Sequence, residues 1–95
     1  VNGNIMMNNF NVQGFVTILS DTSLNYITPP GIYYAEWTGN ETSANDYPAN
    51  SSGILEVITV PSGFTVQRFT DGTAAVYIRI KVGDTWSAWK LVTIT

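Results

Sequence analysis

The side chains able to do chemistry here form a short inventory, because the chain has no histidine and no cysteine. A Ser-His-Asp or Cys-His nucleophile pair, a His or Cys zinc site, a haem ligand and a disulfide are therefore all excluded. What remains is a set of carboxylates, amides and aromatic rings. Glu36, Glu41, Asp46, Asp71 and Asp84 are the acids that could pair for glycoside hydrolysis. Such pairs must flank a bond inside a cleft, and these acids mostly adjoin glycine or lie in polar loops of a small chain, so no catalytic residue is assigned. With Asn45 and Asn50 the same acids could hold calcium, but no EF-hand spacing is present and neither a metal nor another cofactor is expected. Asn40-Glu41-Thr42 and Asn50-Ser51-Ser52 match the N-glycosylation pattern, a match that arises easily by chance in so Asn/Ser/Thr-rich a sequence.

The aromatic residues say more. Trp37 leads into Thr38-Gly39-Asn40-Glu41, and Asn45-Asp46-Tyr47 lies close behind. A sugar ring has an apolar face and a polar rim, so an exposed aromatic plate with amide neighbours is the arrangement that binds it. Trp37, Asn45 and Tyr47 are accordingly the candidate ligand-binding residues; the alternative is that Trp37 merely closes one end of the fold. Trp86 and Trp89 are three positions apart, which in one strand puts the indoles on opposite faces. Packing is their first reading, and Arg79, expected on the outer face of its strand, is placed to stack its guanidinium on one of them.

Those residues need strands to position them. The sequence is rich in Thr, Ser, Asn, Gly, Val, Ile and Tyr and poor in Leu, Lys and Glu, a bias toward strands and turns. Its 95 residues suit one domain, and with 44% hydrophobic, 13% aromatic and 12% charged residues it is neither a disordered chain nor a coiled coil. The net charge of −3 has the wrong sign for phosphate contacts, so nucleic acid is not an expected partner. No apolar run approaches the roughly 20 residues that cross a bilayer, and membrane insertion is not expected.

Period-two alternation over residues 73–82 gives the clearest strand, with Val76, Ile78, Ile80 and Val82 on the face assigned to the core. Asp71-Gly72 before it is a type I′ turn signal, and residues 63–70 are the partner, expected at an edge or in a two-sided position because neither face is cleanly apolar. Residues 53–60 are nearly continuously apolar and β-branched, as in a strand covered on both faces, and Pro61-Ser62-Gly63 turns the chain between the two. Further strands are expected over residues 13–19, 31–37 and 86–93. A short helical turn is expected near Thr22 to Ile27, and a long loop over 38–52. The fold expected is all-β, a small antiparallel sheet or sandwich of about five to six strands.

The order of features adds a resemblance. Leu24-Asn25-Tyr26-Ile27-Thr28, Pro30-Gly31-Ile32-Tyr33-Tyr34, a loop with Asn45-Asp46-Tyr47-Pro48, Gly53-Ile54-Leu55-Glu56-Val57-Ile58, Gln67, Val76-Tyr77-Ile78-Arg79 and Trp86-Ser87-Ala88-Trp89-Lys90 together resemble the pyocin knob family. These domains occur toward the ends of tail fibres of bacteriophages and of phage-tail-like pyocins. The resemblance implies a mainly β knob on a homotrimeric fibre of a virion or prophage-encoded particle, acting outside the host cell and not as an enzyme. Its partner would be a bacterial surface polysaccharide or other host receptor; the alternative role is a spacer or trimer-forming knob with no ligand of its own. Asn25, Gly31, Tyr33, Gln67, Arg79, Trp86 and Trp89 match the family signature and are expected to be structural, with specificity in the region from Trp37 to Tyr47. Residues 1–11, which carry no signal-peptide pattern, are then a junction to a preceding fibre segment, and 12–95 the knob-like domain.

Overall fold

The computed structural model describes residues 15–93, so the expected junction over residues 1–11 and the first residues of the strand expected at 13–19 lie outside the described part. The described residues form seven strands: β1 (Phe15–Thr17), β2 (Gly31–Ala35), β3 (Gly53–Val60), β4 (Phe64–Asp71), β5 (Val76–Val82), β6 (Thr85–Trp86) and β7 (Lys90–Leu91). They make a single mixed sheet in the order β1-β2-β3-β4-β5-β6, with β7 pairing the other half of the same β5 edge. The fold is all-β, as the composition implies. It is one sheet and not a sandwich, and it holds one parallel pairing, Phe15 opposite Ile32.

One face of this sheet is covered by the two long connections instead of by a second sheet. The connection between β1 and β2 winds a 3-10 turn, Leu24–Tyr26, whose N-cap Ser23 accepts from the Asn25 N–H, within the stretch where a short helical turn is expected. The connection between β2 and β3 holds a second 3-10 turn, Ser43–Asn45, which ends on Asp46 in the left-handed region at φ 67°. Leu24, Leu55 and Phe69 are fully buried between these loops and the sheet, joined by Ile18, Ala35, Tyr47 and Val57. Burial of each large apolar side chain stabilises the fold by about 1.5–3 kcal/mol. Gly53 lets the strands close up: a Cβ there would run into the Thr70 carbonyl oxygen and lie 2.6 Å from the Phe69 ring.

Several sequence expectations are corrected. β4 is central, between β3 and β5, and its Thr65, Gln67 and Phe69 face the core. Its mixed character reflects a polar group built into the core, not an edge position. β5 alternates as expected but with its faces reversed: Arg79 is only 5% exposed, whereas Ile78 and Val82 are exposed. β3 is covered on one face only, because no second layer of the described residues packs on the other. The outer face is left open, with Ile32, Ile54, Ile58, Phe64, Ile78 and Val82 at 36–62% exposure around the Arg68–Glu56 ion pair.

The β4–β5 hairpin exists, but not as a two-residue type I′ turn. The Asp71 carboxylate accepts from the Thr73 and Ala75 N–H groups, widening the loop, and the positive φ falls on Ala74 at 71°. The C-terminal strand expected over 86–93 is broken into β6 and β7, because Ser87 N–H donates to Ile80 O and Ser87 Oγ accepts from Ile80 N–H.

Candidate functional site

The break at Ser87 to Trp89 creates an arrangement where polar and aromatic groups converge. Tethering Ser87 to Ile80 brings both indoles to the core side of β5. Two rings that one continuous strand would send to opposite faces now share a partner. The Arg79 guanidinium lies over the Trp86 ring at 4.1 Å and over the Trp89 ring at 4.5 Å. The stack foreseen for Arg79 exists, but inward and on both indoles, not outward and on one.

Arg79 belongs to a chain of bonds that ties the loops to the sheet. Its Nε donates to Gln67 Oε1 at 2.8 Å. Gln67 is fully buried, and its Nε2 donates to Leu24 O at 2.7 Å and Ile27 O at 2.9 Å. Trp86 Nε1 donates to Asn25 O at 3.4 Å and Trp89 Nε1 to Asp46 O at 2.8 Å, while the Ser23 hydroxyl donates to the Asp46 carboxylate. The first 3-10 turn is thereby tied by side chains to β4 and β6, and the end of the second to the β6–β7 connection and to Ser23. Burial pushes the Arg79 pKa down to about 10, with the Asp46 carboxylate opposing that shift, so the guanidinium is still a cation at neutral pH.

Above this stack lies an open depression of about 550 Å³, lined by Asn25, Ser43, Asp46, Arg79, Asp84, Trp86 and Trp89 among others. Asn25 and Arg79 each bring a buried polar atom, Oδ1 and Nη2, that has no hydrogen-bond partner among the described residues. Its chemistry is that of a polar, aromatic-bordered binding surface: one buried cation, two carboxylates at Asp46 and Asp84, and hydroxyls.

The seven signature residues fall unevenly around it. Asn25, Gln67, Arg79, Trp86 and Trp89 form the stack and its bonds. Gly31 and Tyr33 sit on β2 away from the depression, where the Tyr33 hydroxyl donates to Pro29 O at 2.6 Å. The three residues proposed for ligand contact have different surroundings. Trp37 is 49% exposed and does not line the depression; Asn45 donates its amide to Asn40 O. Tyr47 reaches the depression wall, but it is 5% exposed with its ring edge-on to Phe69 at 5.5 Å between centroids. A ring packed in the core is not an exposed plate, although Tyr47 still forms part of the depression wall. Burial, followed by the Glu41 carboxylate, raises its phenol to about 12.

The carboxylates are likewise mostly spent on structure. Glu41 is buried and accepts from the Thr38 N–H at 2.6 Å and hydroxyl at 2.9 Å. Burial pushes its carboxyl up, but these bonds outweigh it and hold the pKa below the usual value. Asp71 caps its hairpin, and Glu36 accepts from the Tyr34 hydroxyl. Sequence reasoning missed the depression because it took Trp86 and Trp89 for opposite-facing neighbours; Ser87 between them, a side chain able to bond the backbone, was the available signal.

No family model matches the chain, and no curated protein does. Among solved structures, an N-truncated R2-type pyocin tail fibre has the same fold, with a TM-score of 0.71 at 21% sequence identity. The match covers 82% of this chain and 32% of the fibre chain, so the present sequence spans about a third of that structure.

Proposed function

We propose that this chain is a knob module of a tail fibre, from a bacteriophage or a phage-tail-like particle, that works outside the host cell and recognises a saccharide receptor on the bacterial surface. The observation that carries the reading is the fold shared with a pyocin tail fibre over most of this chain, joined to the ordered series of motifs in the sequence. A binding role fits the site chemistry better than catalysis, since Glu41, Asp71 and Glu36 are each engaged in local hydrogen bonds. Binding is tested by displaying the domain multivalently, because single-site sugar affinities are weak, and measuring whether it blocks attachment of the intact fibre to host cells. Blocking is the expected result; a folded, multivalent domain that never competes would overturn receptor recognition by this module.

A second reading is favoured by the open sheet face. Ile58 and Val82 are 62% and 61% exposed, and so broad an apolar face marks a contact with other protein. In a homotrimeric fibre that face would pack between copies, making the knob a spacer or trimer-forming element. Light scattering on the intact fibre distinguishes the roles: Ile58→Glu should dissociate or loosen the trimer if the face is the contact, and leave its mass unchanged if it is not.

A further inference from the structure

Among the described residues, two buried polar side-chain atoms have no partner, and they are of opposite kinds: Asn25 Oδ1 accepts and Arg79 Nη2 donates. Both residues line the same depression. Buried polar groups in folded proteins are almost always paired, so a donor and an acceptor left unmet in two residues that line one depression mark where a third group fits once their side chains turn out of the wall that now covers them. A hydroxyl can accept from one and donate to the other, which neither a carboxylate nor an ammonium can do. The surroundings narrow the ligand further. Trp86 and Trp89 border the depression with partly exposed indoles, which suit the apolar face of a sugar ring. Asp46 and Asp84 at the same depression, in a chain of net charge −3, disfavour an anionic ring. About 550 Å³ is within the range of small-ligand sites.

We propose that the Arg79–Trp86–Trp89 depression is a subsite for a neutral, polyhydroxylated ring such as a hexose, with a ring hydroxyl meeting Asn25 Oδ1 and Arg79 Nη2. The proposal rests on the saccharide-recognition reading and relocates the contact from Trp37, on the exposed surface, to the two indoles that flank the arginine. Recognition is then built on the same stack that holds the fold together.

The test is a titration of the 95-residue chain followed by proton–nitrogen correlation spectra, with D-glucose, D-mannose, D-galactose and L-rhamnose as neutral probes and D-glucuronate as the anionic one. The three tryptophans give separate indole N–H signals. With at least one neutral sugar the Trp86 and Trp89 signals should shift while Trp37 stays still, with millimolar affinity, as expected for so small a ligand. D-glucuronate should bind more weakly, and Asp84→Asn, an exposed rim change, should narrow that difference. Asn25→Ala removes an acceptor that makes no bond in the fold, so it should leave the melting temperature unchanged while weakening binding about tenfold. Shifts confined to Trp37 would overturn the subsite while leaving saccharide recognition standing. The subsite is equally overturned if no probe moves Trp86 or Trp89, or if Asn25→Ala binds as the parent does, the unmet pair then holding ordered water only. Attachment of the intact fibre, measured separately, decides the broader reading.

Discussion

Arg79→Lys is the substitution on which the account of this fold bears most directly, because it keeps the charge and removes only geometry. Lysine has Cε where arginine has Nε, so the 2.8 Å bond to Gln67 Oε1 loses its donor and leaves a buried acceptor unmet. A charge-assisted bond of this kind contributes about 1.5–3 kcal/mol. The ammonium can still face the indoles, but as a point it cannot reproduce the planar contacts at 4.1 and 4.5 Å; losing part of two such contacts costs about 0.5–1 kcal/mol more. The sum is about 2–4 kcal/mol against a total stability of roughly 5–14 kcal/mol for a chain of this length. At about 4–8 °C per kcal/mol for a small domain, the melting temperature should fall by roughly 8–32 °C, with the variant still folded in the cold. Circular dichroism and tryptophan fluorescence during thermal unfolding measure it. Arg68→Lys is the matched control: Arg68 is solvent-exposed and reaches Glu56 only at 3.6 Å, so the same exchange should change stability by less than about 0.5 kcal/mol. Equal melting temperatures for the two variants would refute the idea that the buried guanidinium organises the loops.

Gln67→Met conserves volume but removes three hydrogen bonds. Leu24 O keeps the Ile27 N–H, so the unmet groups are Ile27 O and Arg79 Nε, and a loss of about 2–3 kcal/mol is expected in urea unfolding. Gly53→Ala forces a methyl group against the Thr70 carbonyl and the Phe69 ring; the cost should be about 2–3 kcal/mol, read as a lower urea midpoint at unchanged slope. Tyr47 supplies an alkaline prediction. Its folded pKa, about 12, lies above the unfolded value of 10, so its contribution is full below pH 10 and is lost as pH rises through about 12. Arg79, with a folded pKa of about 10, below its unfolded value, has the opposite sign and adds stability with rising pH over that window. Because Tyr47→Phe retains the arginine, the difference between its stability curve and the parent's isolates the phenol: the variant should lose less stability between pH 10 and 12, and parallel curves would contradict the buried phenol.

Much of the architecture was legible in the residues because it depends on local order. Strand propensity and period-two patterning located β2 to β5 in order, with Gly53 to Val60 found at its observed bounds, and the helical turn expected near Thr22 to Ile27 is the first 3-10 turn. The absence of His and Cys and the low charge bounded the chemistry without any fold. What alternation cannot state is which face turns inward, since that depends on where distant connections cross the sheet. Here the loops settle over the face bearing Gln67 and Arg79, so β5 presents its charged side to the core and its aliphatic side to the outside. That choice is stable only because Gln67 meets carbonyls 43 and 40 residues away and two indoles cover the guanidinium. The binding surface is equally a product of tertiary structure. Trp37, Asn45 and Tyr47 are close in sequence, yet Tyr47 is drawn into the core by Phe69. Asn25 and Asp84, far apart in the chain, meet at one depression because Ser87 breaks the last strand and folds both tryptophans back over Arg79.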